Sequence, residues 1–383
     1  MFAVVNAKLV LTDHILPEAF ILSENGTITG FGKMKDCPNL SGAEVYDAEG
    51  LFVGPGLVDI HCHAGCGIWF YEDPEKAAAA LLMNGTTTVL ATLYFSMTRD
   101  ELVRNFGIIK TAMKAGKTPN LAGFYTEAPY MNPKFGCDRE SNPWKGPIKR
   151  EEYMPVLEAA GEDAKVWVVA PEREGIEEFV KDAKKTNPKV RFAVGHSEAT
   201  PYEIEALMSY GLRIGTHHTN STGTLTKYPE CRGVCVDECV WYHDEIYAEI
   251  ISDRMGIHVD PYIQRLVRKI KGDDRVILIS DACVFDGPVP EVGDYEGATD
   301  ILFDWAGEIA GSKLLLLQAA KNFAKHTGAG MPEVFKMASK NPADAVGFTD
   351  RGEIRVGKRA DLIVIDGEYG LKKVVFGGKL LES

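Results

Sequence analysis

Six side chains able to carry hydrolytic chemistry sit at the ends of short apolar runs. His61 and His63 flank Cys62 after Leu57–Ile60, and Glu127 closes the run that begins at Leu121. His196, His217 (followed by His218) and Asp281 close runs that begin at Arg191, Arg213 and Val276. Residues two apart on a strand project to the same side, so His61 and His63 can face one metal ion. Imidazole and carboxylate donors together suit zinc or iron(II). A bound divalent ion lowers the pKa of its water to about 7, which makes hydroxide available to attack a carbonyl carbon. A carboxylate must then take the proton and pass it to the departing nitrogen. Asp281 is the candidate for that work, as base alone or as ligand and base together. A single His at a strand end is more often a hydrogen-bonded structural residue. The chain has only nine histidines, however, and four of them belong to this set.

These residues need elements that bring them together. Eight short runs rich in Val, Ile and Thr alternate with polar helical stretches: Leu57–His61, Thr86–Thr92, Leu121–Glu127, Val166–Glu172, Arg191–His196, Arg213–His217, Ile246–Asp253 and Val276–Asp281. Pro74–Asn84 reads as a helix stopped by Gly85. Thr98–Lys114 opens on a capping Thr with a Glu three residues on, and Thr200–Tyr210 opens on Thr-Pro. Eight strands with intervening helices predict a (β/α)8 TIM-like barrel, in which all strand carboxyl ends gather at one face. The two chain ends have a different character. Phe2–Val10, Ala19–Leu22, Thr27–Phe31 and Glu44–Asp47, then Gly352–Val356, Ala360–Ile365 and Lys373–Phe376, read as strands punctuated by turns. They predict a small β-sandwich domain formed by both termini, 1–53 with 350–383, around a barrel of 54–349. The Pro/Gly-rich segment Asn132–Lys149 follows the third strand, where a functional loop belongs.

Composition narrows the class. Hydrophobic content of 45% and charged content of 25% over 383 residues describe a folded globular chain. A net charge of −13 argues against nucleic-acid binding, which needs a basic face. It leaves room for a phosphorylated small molecule held by a local basic pocket. Met1–Val10 shows neither a signal peptide nor a long apolar run, so a cytoplasmic location with no membrane partner is the expectation. The eight cysteines are scattered and lack CxxC pairs; free thiols are expected rather than disulfides or a structural zinc site.

Pro55-Gly56-Leu57-Val58-Asp59-Ile60-His61-Cys62-His63 resembles the PG-hydrophobic-hydrophobic-DxHxH signature of the amidohydrolase superfamily. Further segments, in order, resemble the N-acetylglucosamine-6-phosphate deacetylase family. They are Tyr125–Tyr130, Val169–Glu172, Gly195–Thr200, Thr216–Asn220, Ile279–Ala282, Gly307–Ser312 and Lys340–Asp366. The resemblance implies that Glu127, His196 and His217 hold a primary metal. His61 and His63 would hold a second or complete the first, so one or two ions per subunit are expected, zinc foremost and iron(II) next. Asp281 would be the acid/base. Asn220 and Ser221 would face a sugar phosphate, His258 would contact substrate, and Ala306, Gly307 and Glu308 would line the sugar through backbone groups. Strand four ends without a Lys, which argues against a dihydroorotase- or urease-like site with a carboxylated lysine. A homodimer, with a neighbour's loop completing the phosphate pocket, is also implied.

The departures cluster in substrate-contacting segments. Ala128 stands where the family has Gly, and Asp138 follows Gly136-Cys137 where the family has His or Gln. Ser221-Thr222 replaces Ala-Met, and Arg254-Met255 lengthens the segment before His258. A carboxylate at Asp138 would repel phosphate or bind a hydroxyl. The family's phosphate-binding Arg has no clean counterpart, with Lys227, Arg232 and Arg254 as candidates. The expected activity is hydrolysis of the acetamide of an N-acetyl amino sugar 6-phosphate. The alternatives are another amide or a cyclic amidine, or a non-catalytic metal-binding barrel; the intact ligand set and acid/base argue against the last. Aromatics such as Trp69, Phe70, Tyr71, Tyr130 and Trp144 could stack on a sugar, but scattered aromatics are more often core.

Overall fold

The computed structural model describes residues 1–223, 226–228, 230–291 and 295–382; for 226–228 only the backbone is described. Eight parallel strands form the barrel: Leu57–Cys62, Thr86–Tyr94, Leu121–Glu127, Ala164–Val169, Arg191–Val194, Leu212–Gly215, Tyr247–Ile251 and Val276–Ile279, paired in chain order. The Asp281 amide donates to the His61 carbonyl at 3.0 Å and the His63 amide to the Ala282 carbonyl at 2.8 Å, tying the last strand to the first. Asp59 helps inside that seam. Its buried Oδ1 accepts from the His61 amide at 3.3 Å and the Ser280 amide at 3.4 Å, and burial pushes its carboxyl up to about 7. The signature glycine also has a packing reason. A Cβ on Gly56 would lie 2.1 Å from Thr87 Oγ1, so only Gly lets the first strand press against the second.

Helices follow where the caps place them. Arg99–Lys114 starts at Thr98, whose hydroxyl accepts from the Glu101 amide while the Glu101 carboxylate accepts from the Thr98 amide at 2.8 Å. Pro201–Met208 starts at Thr200 with the same reciprocal arrangement to Glu203 and Pro at the first turn. Each such cap contributes about 1 kcal/mol. Barrel and helices share one apolar core, from Val58, Val89 and Phe124 round to Ile277 and Phe323.

The two chain ends meet in one eight-stranded mixed sheet. Its order is Lys379–Leu380, Leu371–Phe376, Leu362–Ile365, Phe52–Pro55, Phe2–Val10, Ile15–Glu24 and Thr27–Lys33, with Glu44–Asp47 also pairing Phe2–Val10. It folds around its own core of Val4, Leu9, Ile21, Val53, Leu362 and Val375. Two expected strands differ. Gly352–Val356 is turn and coil, because its alternation lies between Gly352 and Gly357, both at positive φ. Strand four ends at Val169, and Glu172 lies in the turn beyond it. All eight cysteines are free. Among the described residues no helix is long and apolar enough to cross a membrane.

Candidate active site

Alternation along the strands builds the site. Asp59, His61 and His63 share the inner face of the first strand and its extension, and Tyr125 and Glu127 share that of the third. His61 is fully buried, and His63, Glu127, His196 and His217 nearly so. Glu127 uses its two oxygens differently. Oε1 lies 3.1 Å from Nε2 of His196 and 3.1 Å from Nε2 of His217. Oε2 lies 3.3 Å from Nε2 of His63 and 3.5 Å from Nε2 of His61. Two triads of metal-ligating groups result, His61–His63–Glu127 and Glu127–His196–His217, joined through Glu127.

The donor set fits divalent cations. His61 Nε2 is buried, aimed at two carboxylates, and has no hydrogen-bond partner. The Nε2 atoms of His196 and His217 approach to 2.9 Å around the same carboxylate oxygen, a convergence of lone pairs that suits a shared cation. These nitrogen and carboxylate donors are of the kind that hold a divalent metal ion.

One positioning group was missed by the sequence reading. Glu249, fully buried in the seventh strand, has its Oε2 at 3.1 Å from His61 Nδ1, and the His217 amide donates to the same oxygen at 3.2 Å. A carboxylate there fixes the His61 tautomer with Nε2 free for metal. Tyr125 stacks on the His61 ring at 4.5 Å and exchanges a 2.7 Å hydrogen bond with Thr216. The available signal was a Glu inside the otherwise apolar run Tyr247–Ile251. The groups expected at the ends of strands four and seven lie beyond them and have structural work. Glu172 accepts from Asn132 Nδ2 at 2.8 Å, the Glu198 amide at 2.8 Å and Ser197 Oγ at 2.7 Å, locking the turn after His196. Asp253 accepts from the Met255, Ile257 and His258 amides and sits 3.2 Å from His258 Nδ1. His218 belongs to neither triad and packs edge-to-face on Trp241 at 5.5 Å, and burial lowers its imidazole to about 3.

Asp281 Oδ1 lies 3.2 Å from His63 Nε2 and 3.5 Å from His61 Nε2. Burial alone would raise its carboxyl, but the two imidazoles outweigh that and hold it well below the usual range. Glu127 is pulled down in the same sense by His61 and His196 against its own burial. Asp281, His196 and His217 all occupy left-handed backbone, at φ of 47°, 46° and 29°, conformations that non-glycine residues adopt at a cost and that gather at functional sites. Asp281 is held there from behind. The Ser312 amide donates to its carbonyl at 2.9 Å, and Gly311, at φ +73°, passes so close that a Cβ would lie 2.6 Å from that carbonyl oxygen.

A cavity of about 180 Å³ opens over the triads. Asn220, Ser221 and His258 line it, as do Gly136 and Cys137 from the long loop. Asp138, Ala306 and Glu308 line an adjoining groove instead. There the Asp138 carboxylate accepts from Ser141 Oγ at 2.7 Å, and Glu308 forms a bidentate ion pair with Arg139. Gly307 closes a turn beside them, its amide donating to the Asp304 carbonyl at 3.0 Å. The side chain of Lys227 lies outside the described residues. Arg232 is exposed and paired with Glu238, and Arg254 is exposed. Phe70, Tyr130 and Trp144 are core, whereas Trp69 reaches the cavity wall.

The model of the amidohydrolase family matches residues 52–381, which take in both triads and Asp281. The chain belongs to the amidohydrolase family. Among its curated relatives, an N-acetylglucosamine-6-phosphate deacetylase of Bacillus subtilis (strain 168) is 26% identical over 337 residues, 82% of this chain and 80% of that one. An N-acetylgalactosamine-6-phosphate deacetylase of Escherichia coli O157:H7 is 27% identical over 351 residues, 87% of this chain and 88% of that one. Among solved structures, the N-acetylglucosamine-6-phosphate deacetylase of Pasteurella multocida superposes with a TM-score of 0.86 at 23% identity over 100% of both chains. The fold expected of an amidohydrolase, a metal-bearing barrel beside a small sheet, is the fold this chain has.

Proposed function

We propose that this chain is a metal-dependent deacetylase that hydrolyses the acetamide of an N-acetyl amino sugar 6-phosphate, N-acetylglucosamine-6-phosphate or a close relative, to acetate and the amino sugar phosphate. The observation that carries the reading is the pair of triads joined by Glu127 with Asp281 3.2 Å from His63. The curated relatives named above, deacetylases of such sugars, support the choice of substrate.

His61, His63, Glu127, His196 and His217 would hold one or two divalent ions, zinc foremost and iron(II) next. Bound there, such an ion supplies Lewis acidity, making water nucleophilic near neutral pH and polarising an amide carbonyl. Asp281, kept ionised beside two imidazoles, accepts the proton of the attacking water at Oδ1 or Oδ2. It returns that proton to the nitrogen as the C–N bond breaks. Glu249 and Tyr125 hold His61 in register throughout. His258, fixed at Nδ1 by Asp253, turns a buried and unpartnered Nε2 toward the cavity, where it can bond a sugar oxygen. Asn220 and Ser221 offer polar groups beside it. A homodimer in the cytoplasm belongs to the same reading, supported by the motif resemblance; sedimentation tests the former.

The test is acetate release by zinc- or iron(II)-loaded protein from N-acetylglucosamine-6-phosphate, N-acetylgalactosamine-6-phosphate and both unphosphorylated sugars. Turnover confined to the phosphorylated sugars is expected. Turnover of none, with metal bound, would overturn the substrate assignment and leave the family membership standing.

A further inference from the structure

The cavity over the triads has two unlike walls. Polar groups at Asn220, Ser221 and His258 line one part. Trp69, Tyr94, Phe95 and Phe285 line another. The aromatic wall lies against both metal triads. Trp69 and Tyr94 meet the His63 ring edge-to-face at 6.3 and 5.9 Å, and Phe95 meets the His196 ring in the same way at 5.5 Å. Phe285 crosses Trp69 at 5.8 Å and Tyr94 at 6.2 Å, both nearly perpendicular. Trp69, Tyr94 and Phe285 pack in a small apolar cluster with Ala64, Cys283 and Leu302, and Phe95 joins them to the barrel core.

Sugar rings bind aromatics by lying flat on a free face. Trp69 offers little, because it is only 8% exposed and already stacks with Tyr71 at 5.5 Å and Tyr94 at 5.6 Å. The more accessible rings of the wall are the half-buried Tyr94 and Phe285, a surface for alkyl or aryl groups. A hydroxyl-rich sugar is served by the polar part of the cavity. The only component of an N-acyl amino sugar without hydrogen-bonding atoms is the acyl chain beyond its carbonyl. A single methyl covers little of a wall built from four aromatic side chains.

We propose that Trp69, Tyr94, Phe95 and Phe285 form an acyl-chain subsite, so that beside N-acetyl amino sugars this enzyme hydrolyses, with higher kcat/KM, those whose acyl group is larger and more apolar. The inference rests on the amide-hydrolase reading of the preceding section. The step is unchanged: the water oxygen bonds to the acyl carbon, the C–N bond breaks, and the proton passes through Asp281 to the amine nitrogen, giving a carboxylic acid and the amino sugar.

The experiment is kcat/KM of the metal-loaded protein, read as free amine, for glucosamine-6-phosphate carrying formyl, acetyl, propionyl, butyryl and benzoyl groups. Burial of each added methylene should raise kcat/KM about fourfold from acetyl to butyryl. Phe285→Ala and, independently, Tyr94→Ala should lower the butyryl-to-acetyl ratio toward one. Acetyl as the best substrate, with a fall at each added carbon in the unaltered protein, would overturn the proposal and leave the deacetylase reading intact. No amine from any member would overturn the amide-hydrolase reading, and the proposal with it.

Discussion

Replacing Glu249 separates metal affinity from folding. Only Oε2 of this buried carboxylate is engaged, by His61 Nδ1 at 3.1 Å and the His217 amide at 3.2 Å, while Oε1 has no partner. In Glu249→Gln the amide oxygen can take the Oε2 place and keep both bonds, and the amide nitrogen replaces an atom already unpartnered. The metal-free protein should lose only about 1 to 2 kcal/mol, since the desolvation cost of one buried charge is removed and Glu127 and Asp281 still face the His61 imidazole when Glu249 no longer does. What disappears is the negative charge that makes His61 a stronger donor at Nε2. Loss of such a partner typically costs 10- to 100-fold in metal affinity, about 1.4 to 2.7 kcal/mol. Glu249→Gln, which keeps the acceptor, belongs near the lower figure, and Glu249→Leu, which removes it, near the upper. Zinc affinity by chelator competition, beside thermal unfolding of the metal-free proteins, reads both quantities. Unchanged affinity in both variants, with Glu127→Gln losing metal in the same assay, would refute the reasoning and leave Tyr125 stacking as what orients His61.

Asp281→Asn should retain metal and fold yet lose about 10²- to 10⁴-fold in kcat, because an amide cannot accept the water's proton; metal content and turnover on one sample check it. Gly311→Ala should lower both melting temperature and kcat, since its Cβ would meet the Asp281 carbonyl at 2.6 Å and its φ of +73° strains any side chain. The third expectation concerns pH. Burial alone would lower His61, His63 and His217 in the metal-free protein, but Glu127 and Asp281 outweigh it and hold all three above the ordinary imidazole range. Metal must displace those protons, so zinc affinity should climb as pH rises through the raised values, which titrations at several pH values measure directly. The same protonated rings stabilise the metal-free fold fully below about pH 6.5, and that contribution fades as pH rises through their folded-state values. Melting curves should show opposite pH trends with and without metal; parallel trends would count against this coupling.

The ligand set was legible in the sequence because it depends on local regularities. Strand alternation puts His61 and His63 on one side, and parallel strands in chain order must bring their carboxyl ends to one face, so Glu127, His196, His217 and Asp281 converge without any knowledge of coordinates. Thr98 and Thr200 announced their helices because capping is a four-residue affair. Tertiary structure alone decided what depends on the stagger and closure of the barrel. That Glu249 reaches across to His61, 188 residues earlier, follows from which inward side chains share a layer, and no local pattern encodes it. The division of Glu127 into two oxygens serving two triads is likewise a matter of side-chain orientation. Trp69, Tyr94 and Phe285 come from three separate loops and strand ends, so their assembly beside His63 could not be read from spacing. Glu172 shows the converse: it closes an apolar run in the sequence, but the strand stops at Val169, and Glu172 lies in the turn beyond, held there by three hydrogen bonds from Asn132, Ser197 and the Glu198 amide.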